Sequence, residues 1–312
     1  MKPLLAKFFC RVFLFFLCLS PGLWGQDSPR DSLESGPFTI FFHPEDRNRA
    51  VVVDQVLANA RPRLEGFFRT TVPAGMRIEL LTGLESEQQE RNLPRWAGAL
   101  YLTRQFRILI NPPQQGAGLR GLEENLTHEL VHLYTDVKLG IQQLPLWYVE
   151  GLAEYFSGET IGLGEGITLS HALAARQIMD LDAISGVLGF SANKANLAYL
   201  QSLSAVMLLR ERFGADSNWQ DFHDSVVISG WATAFPKYTG MEYPHFNDFW
   251  YETISGRYRW LVLFNAELLF WVMLLLGGIA GFVAVKIRTR RKLRHWARED
   301  SEEGNWEDRF FA

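Results

Sequence analysis

Two histidines and a glutamate stand together in His128-Glu129-Leu130-Val131-His132. On a helix, residues four apart project from the same face, so both imidazoles can reach one cation. A glutamate between them is placed to hold a water at that cation and take its proton. The surroundings suit a helix. Leu122, Leu126, Leu130 and Leu133 form an apolar stripe, and no proline or glycine interrupts 122–139. The competing reading is a pair of core or surface histidines. Chance produces such a motif in roughly one chain of this length in a hundred.

The motif leaves a metal site one ligand short, because a catalytic zinc takes three protein ligands and a water. The next segment, Leu144-Pro145-Leu146-Trp147-Tyr148-Val149-Glu150-Gly151-Leu152-Ala153-Glu154-Tyr155, supplies a candidate. Pro145 suits the first turn of a helix. Glu150 and Glu154 are four apart and share a face, while Leu146, Trp147 and Val149 imply a largely buried helix. Buried carboxylates need partners, and a cation is the natural one. Glu150 is therefore expected to be the third ligand. Glu154 is expected to accept a hydrogen bond from a ligand imidazole and fix its tautomer. Gly151 and Ala153 are small and are expected to let this helix approach the motif helix closely. The opposing reading makes the two glutamates a surface stripe. Asp136 is either an outer partner of His132 or part of a polar face.

These residues resemble the gluzincin metallopeptidases, in particular the bacterial peptidase MA-like domains. The resemblance rests on the His128–His132 motif and on Leu144-Pro145-Leu146-Trp147 leading into Glu150-Gly151-Leu152-Ala153-Glu154-Tyr155. Seventeen residues separate His132 from Glu150, close to the gap in thermolysin-like and aminopeptidase relatives. It implies a thermolysin-like fold, one Zn2+ per chain held by His128, His132 and Glu150, and peptide-bond hydrolysis with Glu129 as general base. It also implies an oxyanion donor downstream of the third ligand. Tyr199 is the candidate and His171 the second choice, with a packed structural tyrosine as the other reading of Tyr199. Gluzincins pair substrate with an exposed sheet edge. Ala97-Gly98-Ala99-Leu100-Tyr101 is the matching stretch, with Gly98 permitting close approach, and an ordinary core strand is equally compatible.

The elements that must position these groups read as an α+β chain, a small N-terminal sheet followed by a helical C-terminal part. Strands are expected at 38–42 and 77–81, with a hairpin of 97–103 and 106–111. A helix is expected at 49–68, carrying Val52, Val56, Ala60, Leu64 and Phe67 at helical spacing. Residues 116–121 read as a loop. Helices then follow at 122–139, 146–157, 170–181, 195–213, 219–229 and 243–254. Trp231 and Phe235 read as core. His43, His223 and His245 read as surface or loop histidines. Asn125-Leu126-Thr127 fits a glycosylation sequon, but a glycan there would obstruct the motif helix.

The ends of the chain point to a membrane. Residues 1–25 read as a signal peptide, with Lys2, Lys7 and Arg11 before an apolar run of eight residues, 12–19. Residues 26–36, rich in Asp, Ser, Gly and Pro, read as a linker. The peptidase domain is expected at 37–256. A transmembrane helix is expected at 260–285, because the eighteen residues 268–285 carry no charge. Gly277 and Gly281, four apart, permit helix pairing. Lys286, Arg288, Arg290, Arg291, Lys292 and Arg294 follow at once, so the positive-inside rule makes 286–312 a cytoplasmic tail and leaves the domain periplasmic, on a bacterial inner membrane.

Composition narrows the classes further. The 312 residues carry a net charge of −4, which gives no basic field for nucleic acid. The two cysteines, Cys10 and Cys18, fall inside the signal, so no disulfide framework holds the fold. The expected partners are a peptide or envelope-protein substrate and the lipid bilayer. A catalytically silent anchored scaffold keeping a zinc-stabilised peptidase fold is the alternative, and it would not require Glu129. An intramembrane protease is disfavoured, because Glu123, Glu124, Asp136 and Lys138 surround the motif.

Overall fold

The computed structural model describes residues 30–83, 98–112, 119–264 and 266–310. The signal-peptide segment and residues 113–118 lie outside them; of the loop expected at 116–121, residues 119–121 belong to a helix. The chain forms two compact units: described residues up to Arg61 with those of Val72–Leu126, and Pro62–Thr71 with the described residues from Thr127 on.

The first unit holds a five-stranded sheet in the order β1-β2-β3-β5-β4. The strands are β1 (Asp31–Ser35), β2 (Phe38–Phe42), β3 (Met76–Leu80), β4 (Ala99–Leu102) and β5 (Arg107–Ile110). β2, β3 and β5 run parallel, and β1 and β4 close the two edges antiparallel. One face of the central strands is apolar because it is buried, and the other carries Thr39, Phe41, Arg77 and Glu79. Phe38, Ile40, Ile78, Leu80 and Ile108 are almost wholly buried. Glu79 of β3 is buried as well, and Arg30 and Arg107 neutralise it at 3.1 and 3.3 Å. The structure corrects the linker at 26–36: Asp31–Ser35 is an edge strand, polar because an edge needs no buried face. The expected hairpin forms, turning through Thr103–Gln105.

Helix α1 (Arg47–Phe68) crosses from β2 to β3. Val53 and Leu57 take the core positions beside Val56, Ala60 and Leu64. Pro62 sits inside it, where the division between the units falls.

The second unit is helical. It contains most of α2 (Leu119–Leu139), then α3 (Leu146–Ser157), α4 (Leu163–Ala174), α5 (Ala192–Phe213), α6 (Asp216–Ser229), α7 (Trp231–Thr239), α8 (Tyr243–Tyr258) and α9 (Ala266–Phe310). Two expectations need correction. The helix expected at 170–181 begins seven residues earlier. The Glu165 carboxylate accepts the Gly162 N–H at 3.0 Å and starts it, and Arg176, at φ +56°, lies past its end. The helix α7, which carries Trp231 and Phe235, is not among the expected helices; Gly230 and Gly240, at φ +79° and +68°, bound it.

The expected membrane helix is also displaced. Residues 259–264 form a tight 3-10 turn, and the long helix starts at Ala266 and runs unbroken for 45 residues. Within it Leu269–Glu299 contains an apolar window that is long enough to cross a membrane and is fully exposed. The basic cluster follows in the same helix. In sum the chain is mixed helix and sheet, with one such apolar helix among the described residues.

Candidate metal centre

All residues of the site lie in the helical unit. From Leu126 to Thr135, α2 is buried on every side except at His128 and His132, which are half-buried. Burying the remaining side chains turns the two imidazoles toward a single opening. Glu129, between them, is 7% exposed.

Helix α3 is built to hold a carboxylate in the interior. Every residue from Trp147 to Ala153 is buried, Glu150 included at 8% exposure. The reading of Glu150 and Glu154 as a surface stripe fails. Pro145 precedes the helix and Gly158, at φ +98°, ends it. Two hydrogen bonds fix its roll. Trp147 Nε1 donates to Tyr243 Oη at 3.1 Å, and Trp219 Nε1 donates to Tyr148 Oη at 2.8 Å. The Tyr148 hydroxyl also meets His223 Nε2 at 2.6 Å. Either group can donate in this contact, depending on the His223 tautomer. His223 is a fully buried core residue of α6, not a loop histidine, and burial pushes its pKa down to about 3. His43 is also buried, while His245 is exposed as expected.

Gly151 does what a small residue was expected to do, but against a different helix. A Cβ there would lie 2.5 Å from Val206 Cγ2 and 2.8 Å from the Ser202 carbonyl carbon, so glycine lets the backbone of α3 approach the backbone of α5. That contact brings the preceding turn of α5 toward the histidines, and Tyr199 arrives with it. The Tyr199 ring is 6.1 Å from the His128 ring and edge-on to it.

The donor atoms converge. Glu150 Oε2 lies 3.5 Å from His128 Nε2 and 3.5 Å from His132 Nε2. Those distances are long for hydrogen bonds. They match the edge of a tetrahedron around a cation with bonds near 2.0–2.1 Å, which is about 3.3 Å. Glu150 Oε2 is buried and has no hydrogen-bond partner. A buried carboxylate oxygen aimed at two imidazole nitrogens is costly without a cation between them. On the far side of His128, Nδ1 meets Glu154 Oε1 at 3.4 Å, the arrangement that keeps Nε2 free to bind a metal. A looser grouping of His128, Glu129 and His132 atoms within 4.8 Å of one another could also hold a cation. The Glu150 oxygen makes the tighter grouping with the two Nε2 atoms.

The electrostatics agree with this grouping. Burial pulls the His128 pKa down, but Glu150, Glu154 and Glu129 outweigh it and raise it to about 9. Burial pushes Glu150 up, yet the two histidines prevail and hold it near 2. Glu154 is raised, first by burial and then by the nearby Glu159 and Glu150 carboxylates. Burial and the same cluster of carboxylates raise Tyr199. Three carboxylates thus surround one imidazole.

Three other expectations resolve differently. His171 is exposed near the end of α4 and, among the described residues, makes no hydrogen bond or ion pair to the cluster. Asp136 caps the end of α2, its Oδ1 accepting the Ile141 N–H at 3.3 Å. β4 is an edge strand as expected, but the close approach at Gly98 is to the Asn125 side chain. Sequence reasoning missed the Tyr148–His223–Trp219 anchor. Its signal was the run of buried aromatics around Trp147, which called for polar partners at the ring edges.

No protein-family model matches the chain, and no curated protein sequence matches it. The functional reading therefore rests on the site itself.

Proposed function

We propose that the protein is a membrane-anchored, extracytoplasmic zinc metallopeptidase of gluzincin type, with a thermolysin-like catalytic domain. One observation carries the reading: the unpartnered, buried Glu150 Oε2 stands at equal distance from both ligand nitrogens of the helical His-Glu-x-x-His motif. His128, His132 and Glu150 hold the ion, and Glu154 orients the His128 ring. Zinc, when bound, supplies a Lewis acid that polarises the scissile carbonyl and acidifies a water.

The chain's own groups do the rest. Glu129 accepts the proton of the attacking water on a carboxylate oxygen. It then passes that proton to the nitrogen of the departing amine, so one group acts as base and acid in turn. Tyr199 keeps its phenolic proton through the working pH range, because burial and the surrounding carboxylates disfavour its phenolate. It can therefore donate a hydrogen bond to the developing oxyanion. The buried walls of α2 and α3 limit water at the centre, which strengthens each of these interactions.

The apolar stretch of α9 supports a membrane anchor, and the basic residues after it support, by the positive-inside rule, a cytoplasmic tail with the catalytic unit outside. The substrates are peptides or envelope proteins near the membrane surface.

The test uses the full chain in detergent, wild type beside Glu129→Gln. Bound zinc is measured by elemental analysis and cleavage of a mixed peptide library by mass spectrometry. The expected result is about one zinc per chain in both proteins and cleavage by wild type alone. Zinc in both without cleavage in either would favour the anchored scaffold. No zinc in wild type would overturn the ligand assignment.

A further inference from the structure

A cavity of about 540 Å³ opens beside the proposed centre, within the helical unit. Glu154 and Tyr199 belong to both: each lines the cavity, and each also faces His128. Its volume lies in the range of pockets that enclose small molecules or substrate side chains, roughly 300–1,000 Å³. Position and size make it a subsite of the same centre rather than a packing defect.

The lining has a definite chemistry. Leu197, Leu200 and Leu203 of α5 give it an aliphatic wall. Glu154, Glu159 and Glu165 give it carboxylates, Thr160, Thr168, Asn193 and Asn196 add neutral polar groups, and no Lys, Arg or His lines it among the described residues. One oxygen of Glu165 is engaged with the Gly162 N–H, and Glu159 is exposed. An apolar wall with an anionic rim suits a group that is aliphatic along its length and cationic at its tip. A neutral apolar side chain would bury carboxylates without pairing them, and an anionic one would be repelled.

We propose that this cavity is the specificity pocket, taking a cationic group of the substrate, a guanidinium or ammonium, next to the bond that is cut. The inference rests on the peptidase reading and names its substrate class. A basic side chain and a free amino terminus carry the same chemistry, and the aliphatic wall fits the methylene stem of arginine or lysine.

The test separates binding from turnover. Full-length Glu129→Gln protein in detergent, loaded with zinc, is titrated calorimetrically with alanine hexapeptides carrying one arginine. The same series with citrulline, the uncharged near-isostere, is the control. Each peptide is used both N-acetylated and with a free amino terminus. The expected result is at least about tenfold tighter binding of the arginine peptide, a preference that shrinks at high salt. Glu159→Gln should reduce it about three- to tenfold and Glu159→Lys should abolish it. If acetylation alone removes the preference, the cation bound is the amino terminus. Equal binding of arginine and citrulline peptides with either terminus overturns the proposal. Wild-type cleavage without an arginine preference rejects the pocket and leaves the peptidase standing. An arginine preference with no cleavage by wild type rejects the peptidase and leaves a cation-selective binding site.

Discussion

Replacing Gly151 by alanine tests whether the contact of α3 with α5 sets the position of Glu150. The new Cβ would lie 2.5 Å from Val206 Cγ2 and 2.8 Å from the Ser202 carbonyl carbon, where side chains do not come closer than 3.0 Å. The valine methyl can rotate away, but the backbone carbonyl cannot. The helices must then part by about half an ångström, an overpacking change that costs about 1–3 kcal/mol. Alanine in a helix interior returns up to ~1 kcal/mol over glycine. Because backbone is the obstacle, the net loss should be about 1–2 kcal/mol, or ~2–8 °C in melting temperature for a unit of this size. Glu150 is the adjacent residue, so its carboxylate should move off the shared position between the two Nε2 atoms. Metal affinity should fall about tenfold, as for changes that misorient a ligand. Gly66 is the control: a Cβ there meets nothing within 4 Å, so Gly66→Ala should stabilise by up to ~1 kcal/mol. Calorimetry of the metal-free full chain and competition against a chromophoric zinc chelator read the two effects. A Gly151→Ala protein as stable as Gly66→Ala, with unchanged affinity, would refute the reasoning.

Glu154→Gln should weaken metal binding about 10–100-fold by loosening the His128 ring, and Glu150→Gln should weaken it more; the reverse order in the same titration would show that Glu150 is no ligand. Tyr199→Phe should lower kcat about 10²–10³-fold with metal content unchanged, whereas a purely structural tyrosine would lower the melting temperature instead. His223 is held neutral with a pKa near 3 against about 6.5 when unfolded, so below pH 6.5 the unfolded chain binds the extra proton. Stability should therefore fall as pH drops from about 6.5 toward 3, by up to ~1.4 kcal/mol per pH unit. Denaturant melts across that range check it, and His223→Gln should flatten the slope.

What the sequence disclosed and what it hid follow from how far each feature reaches along the chain. The His128–His132 pair and the span of α3 depend on one helical turn or one helix, with Pro145 and Gly158 as punctuation. Periodicity sees such things. Glu150 could be singled out because its neighbours are apolar enough to bury it. The partner of Gly151, by contrast, is a helix about fifty residues later, and nothing local states which helix a glycine will face. The burial of His223 depends on Tyr148 and Trp219 arriving from other positions in the fold. The early start of α4 rests on Glu165 accepting the Gly162 N–H and on Gly166 leaving room for Tyr258 and Leu261, which arrive about ninety residues later. At Asp31–Ser35 a polar composition masked a strand, because edge strands have a wet side.

The junction before α9 has a mechanical consequence. One residue separates the 3-10 turn from the long helix, and the turn is clamped: Ser170 Oγ donates to the Arg259 carbonyl at 3.2 Å, and Gly166 lets Leu261 pack closely. A 45-residue helix is a rod of about 67 Å, more than twice the ~30 Å depth of a hydrocarbon core. With α9 in a bilayer, only one residue lies between the membrane-borne helix and the clamped turn, so the helical unit is held close to the bilayer surface. The lipid plane then acts as a depth gauge, admitting only those stretches of a neighbouring chain that pass at one fixed height above it.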